Sequence, residues 1–112
     1  MVSQAVKKYY RSSPKKLGPV LGLIRGSGVE NAFTLLSSLN KRSAPDIAKL
    51  LKSAVANAAE KGHGDTDSLY VKEAYASKGP TLKRIRARAR GRAASRKKRM
   101  SHITIVLEER GL

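Results

Sequence analysis

Between Leu82 and Arg99 the chain reads LKRIRARARGRAASRKKR, with an arginine at every second position from Arg84 to Arg92 and no carboxylate. A guanidinium is planar, permanently charged and able to donate two parallel hydrogen bonds to one phosphate, so a row of them is chemistry for a polyanion. The spacing says which backbone presents that row. In a helix, residues two apart point about 200° apart, which scatters the arginines around the axis. In an extended chain Arg84, Arg86, Arg88, Arg90 and Arg92 share one side at intervals of about 6.7 Å, with Ile85, Ala87, Ala89 and Gly91 on the other. Extended backbone therefore makes a narrow ribbon with a charged edge and a small-residue edge.

The other reactive side chains point away from catalysis. There is no cysteine, and His63 and His102 are the two imidazoles, too far apart in sequence to suggest a metal site. His102 opens a strand-like run and reads as a packed or hydrogen-bonded structural residue, while His63 lies in a glycine-rich turn and reads as solvated. The eight carboxylates are scattered, and no phosphate-cradling or dinucleotide motif occurs. The expectation is a protein without catalytic residues, metal or cofactor.

Charge divides the chain. Lys and Arg number 24 against 8 Asp and Glu, a formal net charge of +16 in 112 residues, which implies a polyanionic partner. Residues 74–107 contain no acid but eleven bases: Lys78, Lys83, Arg84, Arg86, Arg88, Arg90, Arg92, Arg96, Lys97, Lys98 and Arg99. Residues 17–61 carry mixed charge and most of the helix-periodic apolar positions, so they supply the folded body. No apolar run approaches the roughly 20 residues of a spanning helix, and the basic N-terminus is not followed by a signal-type apolar stretch. The expectation is an unprocessed, soluble chain with no membrane partner.

Three helices are legible. Ser13 and Pro14 begin the first, with Leu17, Val20, Leu21 and Ile24 on one face and Gly26 as its stop. Pro19 falls inside it, which predicts a short or kinked helix. Ser27 and Glu30 have capping-box spacing before Val29, Ala32, Phe33 and Leu36. Ser43, Pro45 and Asp46 open the third, whose stripe is Ile47, Leu50, Leu51, Ala54, Val55 and Ala58, ended by Gly62 and Gly64. Beyond these glycines the period becomes two: SLYVKEAY at 68–75 and HITIVLEE at 102–109 read as strands, with Tyr70 and Tyr75 on the packing surface. QAVKKYYR near the N-terminus reads as a lysine-bearing edge strand. The fold class is α+β: three helices packed on a small antiparallel sheet, with a long extended β-hairpin arm. One domain spans 1–112, its body formed by 1–78 and 101–112 and its basic hairpin extension by 79–100, leaving the sheet at Gly79 and Pro80.

Such an arm lacks the burial and the neutralising charge to order itself, so a polyphosphate partner is expected to complete its folding. The aromatic residues are Phe33, Tyr9, Tyr10, Tyr70 and Tyr75, none in the arm, so sequence-specific base stacking is not expected there. Recognition of the backbone of a folded RNA is one reading. The alternative is a DNA-architectural protein with a basic β-arm in the minor groove, although such arms usually carry an apolar wedge where this one has alanine and glycine.

The run GPTLKRIRARARGRAASRKKRMSHITIVLEE resembles the C-terminal half of the bacterial-type large-subunit ribosomal protein twenty-two family. Lys83, Arg88, Ala89, Gly91, Arg92, His102, Ile103, Ile105 and Leu107 keep its spacing, and RSSPKK, LIRG, VENA, LLKSAVANA and LYVKEA agree upstream, so the likeness covers about residues 4–108. Family members often have proline where this chain has Ala87, and LGPV at 17–20 stands in place of a more regular, often basic helical stretch. The resemblance implies a cytoplasmic or organellar large ribosomal subunit as its location. Its implied partners are large-subunit ribosomal RNA, neighbouring ribosomal proteins and the nascent polypeptide, without homo-oligomerisation. It implies an exit-tunnel tip at Leu82, Lys83, Arg84, Ile85, Arg88, Ala89, Arg90, Gly91, Arg92 and Ala93. The candidate RNA-binding residues are Lys7, Lys8, Arg11, Lys15, Lys16, Arg25, Lys78, Lys83, Arg84, Arg86, Arg88, Arg90, Arg92, Arg96, Lys97, Lys98 and Arg99.

Overall fold

The computed structural model describes residues 2–63, 67–87 and 93–109, with the backbone alone of 80–87 and 93–99. Its elements run β1 (Ser3–Tyr10), α1 (Pro14–Ile24), α2 (Val29–Ser38), α3 (Ala44–Glu60), β2 (Leu69–Ala87) and β3 (Ala93–Glu109). The three strands form one antiparallel sheet in the order β1-β3-β2. The α+β class is thus as the sequence implies, and β1 is an edge strand. The central position of β3 explains its composition: Ile103, Thr104, Ile105, Val106 and Leu107 are all buried because strands flank them on both sides.

One face of the sheet carries the helices. Ser3, Ala5, Leu69, Val71, Ala74, Ile103, Ile105 and Leu107 meet Leu17, Leu21 and Ile24 of α1, Val29, Ala32 and Leu36 of α2, and Ile47, Leu51, Ala54 and Ala58 of α3 in one core. The helical stripes read from the 3.6-residue period are the buried ones, except that Phe33 and Val55 are only partly buried against the core. Both buried serines are hydrogen-bonded: the Ser3 hydroxyl donates to the Ala54 carbonyl at 2.8 Å, and the Ser101 hydroxyl to the Ser12 carbonyl at 2.6 Å. Asn57 donates to the Gln4 carbonyl at 3.0 Å, tying α3 to the outer edge of β1.

Several local expectations are corrected. Of the short or kinked helix expected, the short alternative is not found, since α1 runs for eleven residues with Pro19 inside it. Gly18 lacks the Cβ that would clash with the proline ring, and Pro19 and Lys15 both face solvent, where water can serve the Lys15 carbonyl that lost its partner. Gly26, at φ +80°, ends α1 as expected, and its amide donates to the Val71 carbonyl at 2.7 Å. α2 is capped by Gly28, not Ser27, so no capping box forms. Ser43 does cap α3 but is itself in helical backbone with no side-chain cap bond, and Asp46 is engaged elsewhere. Gly62, at φ +87°, follows the C-cap Lys61; Gly64 lies outside the described residues.

Three irregularities in the strand pairing decide which residues face where. Val71 pairs with Leu107 but Glu73 with Val106, so Lys72 is an extra residue that switches the alternation of β2. The switch brings Ala74 into the core and leaves Tyr75 44% exposed instead of on the packing surface. A second shift, between Lys78 and Thr81, absorbs Gly79 and Pro80 as a bulge. The chain therefore does not leave the sheet there: β2 continues pairing with β3 from Thr81↔Arg99 to Ala87↔Ala93. The third shift lies in β1 between Lys7 and Tyr10, where Tyr9 adopts φ +59°, a left-handed conformation that costs a non-glycine residue roughly 1–2 kcal/mol. Its amide donates to Nδ1 of His102 at 3.1 Å, and the two rings meet edge to face at 5.1 Å. His102 is the structural residue expected. His63 is not simply solvated, since its Nδ1 lies 2.6 Å from a Glu109 carboxylate oxygen.

The hairpin sets the overall shape. The radius of gyration is 17.3 Å, against about 13 Å for a compact chain of this length, and the longest dimension is 67 Å.

Candidate nucleic-acid interface

Two cationic regions adjoin one another. The first is the shaft formed by the outer halves of β2 and β3. Its register sets Lys83 opposite Lys97, Arg84 opposite Arg96 and Leu82 opposite Lys98. Like charges placed directly across a strand pair weaken it, each by up to about 1 kcal/mol. A free hairpin gains nothing from this arrangement; a hairpin flanked by phosphates does. Leu82, Lys83, Arg84, Ile85 and Arg86 stand in the shaft on β2, and Ala93, Arg96, Lys97, Lys98 and Arg99 on β3. The alternate spacing of Arg84 and Arg86 coincides with extended backbone, as their period of two requires. Arg88, Ala89, Arg90, Gly91 and Arg92, expected at the tip, lie outside the described residues.

The second region is an open cleft of about 800 Å³ at the end of the body from which the shaft emerges, lined by Lys7, Tyr9, Tyr10 and Arg11 from the first strand and its exit, Lys16 and Pro19 from α1, and Lys41, Arg42 and Asp46 from the start of α3 and the turn before it. Local structure brings these together. The Ser101 hydroxyl holds the Ser12 carbonyl, and the Ser12 amide turns back to the Tyr10 carbonyl at 2.9 Å, which fixes Arg11 at the head of α1. The Tyr10 hydroxyl donates to Oδ2 of Asp46 at 2.6 Å and so clamps β1 to α3. Burial, then the bond to Asp46 and its charge, push the Tyr10 phenol up to about 12, against a smaller opposing pull from Arg42. The phenol is therefore a neutral donor at physiological pH. Five cations line the cleft against one carboxylate, and that carboxylate already holds a hydrogen bond.

Of the N-terminal residues expected to meet RNA, Lys7, Arg11 and Lys16 converge on the cleft. Lys8 and Lys15 are exposed beside it on β1 and α1. Arg25 stands at the opposite end of α1, where its Nε donates to the Ala74 carbonyl at 2.9 Å, so it also braces β2. Lys78 is exposed at the base of the shaft, one step from the Tyr10↔Ser101 pair. Lys41 and Arg42 were not among the residues picked from the sequence. They sit thirty residues from the N-terminal bases in an unremarkable turn, and only the fold brings the two groups to one cleft. Among the described residues no cluster of three or more metal-ligating side chains occurs, and no helix is long and apolar enough to cross a membrane.

Known proteins are similar to this chain along nearly its whole length. The sequence pattern of the family described as Ribosomal protein L22p/L17e matches residues 5–108. Large ribosomal subunit protein uL22 of Clostridium acetobutylicum is 53% identical over 110 residues, covering 98% of this chain and 99% of that protein. The proteins of the same name from Clostridium novyi and Heliobacterium modesticaldum are each 50% identical, over 110 and 108 residues, covering 98% and 96% of this chain and 99% and 77% of theirs. With the match running through β1, all three helices and both strands of the shaft, the chain belongs to the L22p/L17e family of ribosomal proteins and is a structural, non-enzymatic constituent of the large ribosomal subunit.

Proposed function

We propose that the chain binds large-subunit ribosomal RNA through the shaft and the body cleft together, supports assembly of the cytoplasmic large subunit, and lines the nascent-peptide exit tunnel with its hairpin tip. The carrying observation is the register of β2 against β3, which sets Lys83 opposite Lys97 and Arg84 opposite Arg96 in a slender two-stranded rod with no carboxylate between residues 74 and 107. A rod of that kind fits between phosphate walls, and its small residues around Ala87, Ala89, Gly91 and Ala93 suit a tip that shares space with a passing polypeptide. The chain acts as one domain, with residues 1–78 and 101–112 as the body and 79–100 as the extension. Its partners are RNA, neighbouring ribosomal proteins and nascent chains, and it enters the particle as a single copy.

The test is binding to large-subunit ribosomal RNA and to duplex DNA at matched salt. Neutralising 8 to 12 phosphates gives a log–log salt slope of roughly −6 to −11, and a site-selective RNA footprint should survive excess duplex. A preference for duplex DNA, or a slope near zero, refutes the reading.

A further inference from the structure

We propose that Tyr9 and the adjoining cleft form a subsite for one nucleotide of RNA, in which an unpaired base stacks on the Tyr9 ring while its flanking phosphates lie against Lys16, Lys41 and Arg42. The proposal rests on the RNA-binding reading above and adds to it a second mode of contact, stacking, on the body rather than the arm.

Three observations converge. Tyr9 is the one non-glycine residue with positive φ among the described residues, and a bulky side chain at such an angle is a genuine outlier. Burial does not account for it, since Tyr9 is 59% exposed, more than any other large apolar side chain described. Strained backbone that presents an exposed side chain is the pattern of a functional site. Second, the ring is held in place. The Tyr9 amide is bonded to His102, and the edge-to-face contact with that imidazole covers at most one face of the phenol, on a residue that is 59% exposed. Third, the cleft beside the ring is cationic: Lys7, Arg11, Lys16, Lys41 and Arg42 line it together with Tyr9. An aromatic platform set in a positive groove is the arrangement that receives single-stranded nucleic acid, and such stacking tolerates any base. The charge selects the occupant, because an acidic protein segment would leave the open aromatic face unused.

The experiment measures affinity for large-subunit ribosomal RNA against salt for the full chain and five variants. Tyr9→Leu and Tyr9→Gly each remove the ring, and glycine suits the backbone angle, so thermal unfolding of Tyr9→Gly checks that the fold persists. Both should lose about 5- to 150-fold in affinity with no change in salt slope. Tyr9→Phe keeps the ring and should bind as the unaltered chain does. Lys41→Gln and Arg42→Gln, in an exposed turn, should each flatten the slope by about 0.7 to 0.9. Affinity undiminished in Tyr9→Leu, or lost equally in Tyr9→Phe, overturns the stacking; unchanged slopes in the two turn variants overturn the phosphate contacts. Should the unaltered chain itself fail to bind selectively, the RNA-binding reading falls and the subsite with it. Selective, steeply salt-dependent binding with silent Tyr9 variants removes the subsite alone.

Discussion

Gly79 and Gly22 make a matched pair of glycine-to-alanine changes with opposite expected signs. A Cβ built on Gly79 lies 3.0 Å from the Met100 carbonyl oxygen, 3.1 Å from the Met100 carbonyl carbon and 3.4 Å from Cε1 of His102. Two of those three neighbours are backbone of the central strand, which yields less readily than a side-chain tip. Overpacking of this kind costs about 1–3 kcal/mol, and the reduced freedom of the unfolded chain returns about 0.4–1 kcal/mol. The net loss is about 0.5–2 kcal/mol. With an unfolding entropy near 2.1 cal/mol/K per residue, 1 kcal/mol corresponds to about 4 °C in this chain, so Gly79→Ala should melt about 2–8 °C lower. Gly22, exposed inside α1, has nothing within 4 Å of the added methyl, and helix propensity alone should raise stability by about 1 kcal/mol, or about 4 °C. Differential scanning calorimetry gives both values, and amide exchange at Lys78, Ser101 and His102 locates the first effect. If Gly79→Ala melts at or above the unaltered chain, the Met100 backbone moves freely and the tight approach of β2 to β3 at the base of the shaft is not a constraint.

Arg96→Glu sets opposite charges across the strand pair with Arg84 and should stabilise the free shaft by up to about 1 kcal/mol, seen as slower amide exchange at residues 81–87, while weakening RNA binding. Ser101→Ala leaves the Ser12 carbonyl without its donor and should cost about 1–2 kcal/mol in urea denaturation. The Tyr10 phenol should titrate near pH 12 by ultraviolet absorbance. Because its folded value lies above the ordinary value of 10.0, the stability it confers is complete below pH 10 and is lost as pH rises from 10 towards 12; Tyr10→Phe should abolish that component.

The helices were legible because their apolar residues keep one period without interruption: Ile47, Leu50, Leu51, Ala54 and Ala58 need only a 3.6-residue repeat to share a face. The strands were legible as elements but not in phase. A single inserted residue, Lys72, reverses the alternation, and nothing in SLYVKEAY marks it, so Tyr75 was assigned to the wrong side. Cap assignments at Ser27, Ser43 and Asp46 followed spacing, whereas Asp46 is taken by a tyrosine 36 residues away, a competition that local sequence cannot display. The charged shaft could be read because its bases crowd one short stretch of sequence. The body cleft could not, since Lys41 and Arg42 reach Lys7, Arg11 and Lys16 only through the packing of α3 on β1. Tyr9 carried no signal at all, because a left-handed tyrosine looks like any other in a strand-like run.

Beyond Gly79 the two long strands face each other residue for residue, Thr81 with Arg99 down to Ala87 with Ala93. That one-to-one ladder makes finger length a free variable. Excising two residues from each strand would shorten the projection by about 7 Å while every remaining side chain kept its side, and the hydrophobic interior would be untouched. Excising one residue from a single strand would instead turn the outer portion inside out. Reach can therefore be altered by evolution or by design in paired steps, independently of whether the globular part folds.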